Sequence, residues 1–265
     1  ECLYLDADPQ EFIINTLRDA YGLKMSAGIS LGICGMNAVF AALRSLERIQ
    51  QKEERNIFVQ FGWLYLDTME ILRKFRSHTM HVEAKMSIAK LENFLKAKGN
   101  QTAAIFTEVT TNPLIQAPDL PALYKLARQY DIPVVVDATF GTPYNVDVTP
   151  YADIIIESLT KFACGNADVM MGALIVNQRS PWYSDITNQV SAFLETPFEG
   201  DMRRLAFQIG GYKTRMEKIN QNTLALIEYF KTCEHIKEIY WPYQEPFREH
   251  YQALQKHSKA AGGVI

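Results

Sequence analysis

Two stretches of this chain carry side chains whose types and spacing could do chemistry. Asp137 closes the run Pro133-Val134-Val135-Val136-Asp137, and Ser158, Thr160 and Lys161 close the run Ile154-Ile155-Ile156-Glu157-Ser158-Leu159-Thr160-Lys161. A lone acid or a lone lysine means little. An acid after one apolar, β-branched run and Ser-x-Thr-Lys after the next, 24 positions from Asp137 to Lys161, is a much narrower pattern. Continuous apolar runs without alternation suit strands buried on both faces of a parallel sheet. In open α/β sheets, ligands sit at the carboxyl ends of the strands. The pattern therefore predicts an amine, a carboxylate and hydroxyls gathered at one sheet edge.

That set suits pyridoxal 5'-phosphate. This cofactor takes a lysine for its imine and an acid against its pyridinium nitrogen, with hydroxyls and amide N–H groups for its phosphate. Asp137 would keep the ring nitrogen protonated, so that the ring accepts electrons from a substrate carbanion. Lys161, partly desolvated, would offer a free amine for bond formation. A buried Asp held by backbone amides and a Lys reaching solvent is the plainer account of either residue alone. It is the poorer account of the conjunction.

The elements that must position these residues alternate between strand and helix. Asp8 reads as the N-cap of a helix over Pro9 to Tyr21, with Pro9 at its first position, Glu11 in its first turn and Gly22 as its stop. An apolar-small segment, Ile29 to Cys34, leads into Gly35-Met36-Asn37 and then a helix through Ala38, Val39, Ala42, Leu43 and Leu46. A glycine turn feeding a helix N-terminus is an anion site, through its free N–H groups and the helix dipole; it is also an ordinary strand-to-helix turn. Ile57 to Phe61 reads as a strand, and Tyr65 follows it near the same edge, where an aromatic either stacks on a ring or packs in the core. A helix through Ile71, Leu72 and Phe75 comes next. Val82 to Lys98 reads as a helix with Met86, Ile88, Leu91 and Leu95 inward, stopped by Gly99-Asn100. Ala103 to Glu108 is a strand ending in the turn cluster Val109-Thr110-Thr111-Asn112-Pro113. Asp119 caps a helix through Leu123, Leu126 and Ala127, Gly172 to Val176 is another strand, and helical spacing dominates from Asp201 to Lys231. The alternation predicts a mainly parallel α/β sheet. Around Trp241-Pro242-Tyr243 the pattern breaks, which divides the chain into a large domain over 1–235 and the start of a second over 236–265.

Composition narrows the partners. The chain has 265 residues, enough for one large or two small domains, and a net charge of -3 with dispersed lysines and arginines, which argues against nucleic acid. No stretch approaches the roughly 18 uncharged apolar residues of a membrane span. The opening Glu1-Cys2-Leu3-Tyr4-Leu5-Asp6 has no signal-peptide character, and the cysteines Cys2, Cys34, Cys164 and Cys233 form no CxxC pair. These points favour a reducing cytoplasm without disulfides. His78 and His81 could share a helix face, but no carboxylate or cysteine pattern completes a metal site. A plain nucleotide-binding protein is disfavoured, because neither G-x-G-x-x-G nor G-x-x-x-x-G-K-[ST] occurs.

At this point the residues carry a resemblance. Glu108-Val109-Thr110-Thr111-Asn112-Pro113 resembles E-S-P-T-N-P, Asp137-Ala138-Thr139-Phe140-Gly141-Thr142-Pro143 resembles D-N-T-F-A-T-P, and Ser158-Leu159-Thr160-Lys161-Phe162 with Gly165-Asn166-Ala167-Asp168-Val169 resembles S-x-T-K-Y-x-x-G-H-S-D-V. These are motifs of the Cys/Met-metabolism (trans-sulfuration) family of pyridoxal-phosphate enzymes. The family has an aspartate-aminotransferase-like fold, fold type I, so the resemblance implies its large domain here, with the C-terminal small domain mostly absent. It implies that Lys161 carries the cofactor and moves protons, Asp137 holds the pyridinium, Tyr65 stacks on the ring and Asn112 contacts the ring's 3-oxygen. Gly35, Met36, Ser158 and Thr160 would hold the phosphate, and Thr139 joins the cofactor-binding set.

The resemblance further implies an enzyme acting on a sulfur amino acid or an activated homoserine, by elimination or replacement at the γ (or β) carbon. A cystathionine γ-synthase-like reaction is favoured over a cystathionine or methionine lyase, or an O-acetylhomoserine sulfhydrylase. A homologue that keeps the fold without catalysis is the other class. A homodimer or homotetramer is implied, as is a small amino-acid substrate. Departures are specific. Leu3 and Leu5 stand where the family has a Tyr-x-Arg phosphate clamp, Leu66-Asp67 follows Tyr65 in place of Gly-Gly, and Asn166 replaces a His. Gly262-Gly263-Val264-Ile265 is similar to the opening strand of the family's C-terminal domain.

Overall fold

A computed structural model describes residues 8–75 and 79–265. Among them one seven-stranded sheet forms from β1 (Ile29–Gly32), β2 (Ile57–Phe61), β3 (Thr79–Glu83), β4 (Thr102–Glu108), β5 (Val134–Asp137), β6 (Ile154–Ser158) and β7 (Gly172–Val176), in the order β1-β7-β6-β5-β4-β2-β3. The pairs β3·β2, β2·β4, β4·β5 and β5·β6 are parallel. β7 alone is reversed, antiparallel to both β6 and β1. The sheet is therefore mainly parallel, as the strand–helix alternation predicts.

The apolar runs are continuous because both faces are covered. Ile154 and Ile156 of β6, with Ala104 and Phe106 of β4, join a core with α2 (Gly35–Gln50), α3 (Leu66–Lys74) and α7 (Tyr183–Val190). Ile155 and Ile105 face the other way, into a core with α1 (Pro9–Tyr21), α4 (Ile88–Lys98), α5 (Leu120–Arg128), α8 (Glu199–Ile209) and α9 (Tyr212–Lys231). The three isoleucines of β6 are at most 1% exposed. At roughly 1.5–3 kcal/mol for each such side chain taken from water, they fix the strand that ends on Ser158.

The caps legible in the sequence form. The Asp8 carboxylate accepts the Glu11 N–H at 2.9 Å, Gly22 closes α1 at φ 65°, and the Asp119 carboxylate accepts the Ala122 N–H at 3.0 Å at the start of α5. The helix expected from Val82 is different. Residues Thr79–Glu83 are the edge strand β3 on β2, Met86 turns the chain at φ 53°, and the helix begins at Ile88 with Ser87 as its cap. Met86 is buried as expected, but from a turn. His81 consequently lies on a strand, stacked on Phe94 with ring centroids 3.7 Å apart; burial pulls its imidazole below the usual range against the raising effect of Glu83. His78 lies outside the described residues. Among the described residues, no cluster of three His, Cys, Asp or Glu side chains is arranged for a metal ion, and no helix is long and apolar enough to cross a membrane.

Residues 236–265 contain the short helix α10 (Arg248–Gln252), and 262–265 pair in no strand. They lie on the rest of the chain. Tyr243, Tyr251, Leu254 and Ala260 join the core under β4 to β6, and the Thr223 hydroxyl of α9 donates to the Gly262 carbonyl at 2.7 Å.

Candidate functional site

Strand register brings the chemical side chains level. Glu108 at the end of β4 is paired with Asp137 at the end of β5, Asp137 with Ile156 of β6, and Ser158 with Gly172, itself paired with Gly32 of β1. Beyond β1 the chain turns at Cys34, whose Sγ accepts the Asn37 N–H at 3.4 Å and caps α2. Two glycines permit the turn. A Cβ on Gly172 would stand 2.4 Å from the Cys34 carbonyl group, and one on Gly35 would stand 2.9 Å from the Ser158 Cβ. The opening of α2 therefore lies directly against the end of β6. The first N–H groups of a helix have no intrahelical partner, so those of Gly35 and Met36 are offered beside Ser158.

The result is a cavity of about 470 Å³ at the carboxyl edge, lined by Gly35, Met36, Tyr65, Asn112, Asp137, Thr139, Ser158, Thr160 and Lys161, with Cys34, Glu108, Thr110, Phe140 and Met170 completing the wall. The structure thus gathers every candidate named from the sequence, apart from Leu3 and Leu5, which lie outside the described residues. A larger depression of about 600 Å³ runs beside Asp8, Glu11 and Asn15. It contains no amine and none of these residues, so volume alone does not mark the chemistry.

Within the cavity each group has a distinct setting. The Asp137 carboxylate accepts the Thr139 N–H at 2.9 Å, and the Thr139 hydroxyl also reaches it while accepting the Ser158 N–H at 2.8 Å. Thr139 therefore couples the ends of β5 and β6. Burial raises the Asp137 carboxyl above its ordinary range, and the two Thr139 bonds only partly offset this. Asp153, at the other end of β6, is a useful contrast. It is fully buried, accepts from Val134 N–H at 2.8 Å and Ser180 Oγ at 2.7 Å, and does not line the cavity that Asp137 lines. Asp153 is a structural acid; Asp137 keeps acceptor capacity facing an open space.

Thr160 is partly committed, since its hydroxyl accepts the Met171 N–H at 3.2 Å. Tyr65 lines the cavity and is 42% exposed. Lys161 is exposed, so the partial desolvation expected of it is not supplied by these residues. The turn that follows it is pinned by Arg215 of α9, which donates to the Phe162 carbonyl at 2.9 Å and the Ala163 carbonyl at 2.7 Å.

Two acids were missed as site residues. Glu108, 5% exposed, accepts the backbone N–H groups of Tyr65 and Asn112. It ties both to β4, and burial, with the Asp137 charge adding to it, pushes its carboxyl well above the usual range. The available signal was an acid closing a buried strand, as Asp137 does. Glu157 lies on the opposite face of β6, 1% exposed, accepting from Tyr21 Oη at 2.6 Å and Tyr212 Oη at 2.9 Å. Burial raises it, the tyrosines oppose this and Asp137 adds to it, leaving it at about 7 against an ordinary 4.5. The folded chain then holds a proton there that the unfolded chain releases near 4.5. Stability from this group is present below pH 4.5 and lost as pH rises through about 7. Denaturant titrations should show a loss on the order of 3 kcal/mol across that window, absent in Glu157→Gln. Parallel pH curves for the two proteins would contradict this.

The donor set fits pyridoxal phosphate. An anion with spare acceptor capacity suits a ring N–H, a helix N-terminus beside a serine suits a phosphate, and an amine opens into the same space.

Residues 19–265 match the family model described as Cys/Met metabolism PLP-dependent enzyme. The chain is 36% identical over 97% of its length to an L-2-amino-4-chloropent-4-enoate dechlorinase/desaturase of Streptantibioticus cattleyicolor, and 34% identical over 88% of its length to a cystathionine gamma-synthase of Neurospora crassa. It spans 52% and 38% of those two proteins' lengths. In fold it is similar to the solved cystathionine gamma synthase of Xanthomonas oryzae pv. oryzae, with a TM-score of 0.79 at 18% identity, over 97% of this chain and 64% of that one.

Proposed function

Since this chain belongs to the Cys/Met metabolism family of PLP-dependent enzymes, we propose that it catalyses elimination or replacement at the γ (or β) carbon of an amino acid, in the manner of a cystathionine γ-synthase. Its fold is the fold type I architecture of that family. The observation that carries the reading is the single cavity holding Lys161, Asp137 and the opening of α2.

The residues divide the work. The N–H groups of Gly35 and Met36 and the Ser158 hydroxyl hold the phosphate, with Thr160 contributing what its bond to Met171 leaves free. Asp137 holds the proton on the ring nitrogen, and Thr139 orients Asp137. Asn112 would face the 3-oxygen, and Tyr65 would stack on the ring. When bound, the cofactor supplies an electron sink for the charge left at the substrate Cα. Lys161 lines the same cavity and would move the substrate's protons. Those at Cα and Cβ are taken so that the γ leaving group departs with its bonding electron pair. They are returned once the incoming thiol sulfur, its own proton lost to the displaced group, has bonded at the γ carbon. A homodimer or homotetramer belongs to the same reading.

The favoured substrate is an activated homoserine with cysteine as the incoming thiol. A second reading has one observation behind it. The 36% identical relative is named for a substrate with chlorine on C4, the γ carbon of an amino acid, so a halide leaving group suits the same residues. The test is to supply the purified protein and pyridoxal phosphate with O-acetyl- or O-succinylhomoserine plus cysteine, with cystathionine or methionine alone, and with L-2-amino-4-chloropent-4-enoate. Cystathionine formation supports the first reading, and chloride release supports the second. No turnover of any of them by a cofactor-loaded protein would overturn both.

A further inference from the structure

Directly behind the cavity, on the other face of the sheet, lies a cluster that the roles above do not use. Glu157 precedes Ser158 in β6, and both of its oxygens are engaged, one by Tyr21 from α1 and one by Tyr212 from α9. Asp137 is paired with Ile156, the residue before Glu157. A covalent step and two hydrogen bonds then lead from Glu157 to the cavity: Ser158 N–H to the Thr139 hydroxyl, and Thr139 to Asp137. The charged and titratable groups around Glu157 are Tyr21 on α1, Tyr212 on α9, Tyr144 on α6 (Thr142–Asn145) and Asp137 on β5. None of these is a cation.

Resting on the cofactor reading above, we propose that the Tyr21–Glu157–Tyr212 cluster is a pH-dependent positioning element of the cofactor site. Its carboxylate, when ionised, is a second negative charge behind Asp137 and strengthens the hold on a cationic ring.

Two like charges across one sheet repel in the empty site, and a cation seated on Asp137 relieves that repulsion. The titration of Glu157 at about 7 places the change within the range where the protein can be studied. The two phenols donate to the ionised carboxylate, and a phenol oxygen can accept in turn from the protonated acid, so the charge can change without a change of packing.

The test compares wild type with Glu157→Gln by titrating the apo-protein with pyridoxal phosphate at pH 6 and pH 8.5. At pH 6, where Glu157 is protonated, the two proteins should bind alike. At pH 8.5 the variant should bind about three- to tenfold more weakly, and the pH midpoint of its bound-cofactor absorbance should move down. A purely packing role would change affinity equally at both pH values, and that result, or no change at either, would overturn the proposal. Tyr212→Phe serves if the first variant fails to fold. With one donor gone the carboxylate ionises at higher pH, so the onset of tighter binding should move up; an unmoved onset counts against the proposal. A wild-type protein that does not bind pyridoxal phosphate at all would instead remove the cofactor reading itself.

Discussion

Asp137→Asn should lose far more turnover than cofactor affinity and melt no lower than the wild type. The asparagine oxygen can still accept the Thr139 N–H that Asp137 accepts at 2.9 Å, so the turn between β5 and its neighbours keeps its shape. What disappears is the charge. Opposite charges at about 4 Å with an effective dielectric near 20 attract by about 4 kcal/mol. That is an upper guide to the hold on the ring proton, equivalent to about a 10³-fold fall in kcat. The stability effect has the opposite sign, because burial holds the Asp137 carboxyl above its ordinary range. The ionised group is a burden on the empty fold at neutral pH, and a neutral amide removes it. Loss of activity with a gain in stability marks a group retained for function. Unchanged kcat in a folded Asp137→Asn would show that Asp137 does not face the ring.

The second large effect is expected from Lys161→Ala. A positioned proton-transfer group contributes about 10² to 10⁴-fold, and loss of the amine also removes the covalent tether. Turnover should fall by at least that factor, while noncovalent binding at the opening of α2 persists. The fold should be indifferent, since the Lys161 side chain is exposed. The turn it sits on is held by Arg215 through the carbonyls of Phe162 and Ala163. Stopped-assay rates and a melting curve check both halves. Activity within tenfold of wild type would assign proton transfer to another residue.

Much of the site was legible because its supports are local. Continuous apolar runs define β4, β5 and β6, and once they lie parallel and in register their last residues must share an edge. The Gly35 turn was legible as a strand-to-helix junction, although the reason it must be glycine, the Ser158 Cβ behind it, is a tertiary fact. Glu108 and Glu157 were quoted within motifs and strands, yet their roles escaped. An acid at the end of an apolar run has no periodic signature, and apart from Asn112 its partners here are 43 to 136 residues away.

The strand at Thr79–Glu83 was lost for a different reason. It is an edge strand, mostly exposed or half-buried, and the helical spacing of Met86, Ile88, Leu91 and Leu95 extends backward over it on paper. Whether Lys161 is shielded depends on what covers the mouth of the cavity, which no local pattern encodes.

The central claim is that Lys161 carries pyridoxal phosphate in this cavity. It is tested most directly by loading the purified protein with the cofactor, reducing with sodium borohydride and mapping the digest by mass. The prediction is a yellow protein that loses its visible absorbance on reduction, with the cofactor's mass found on the peptide containing residue 161. A protein that stays colourless with added cofactor, or a label that maps to another lysine, would contradict it.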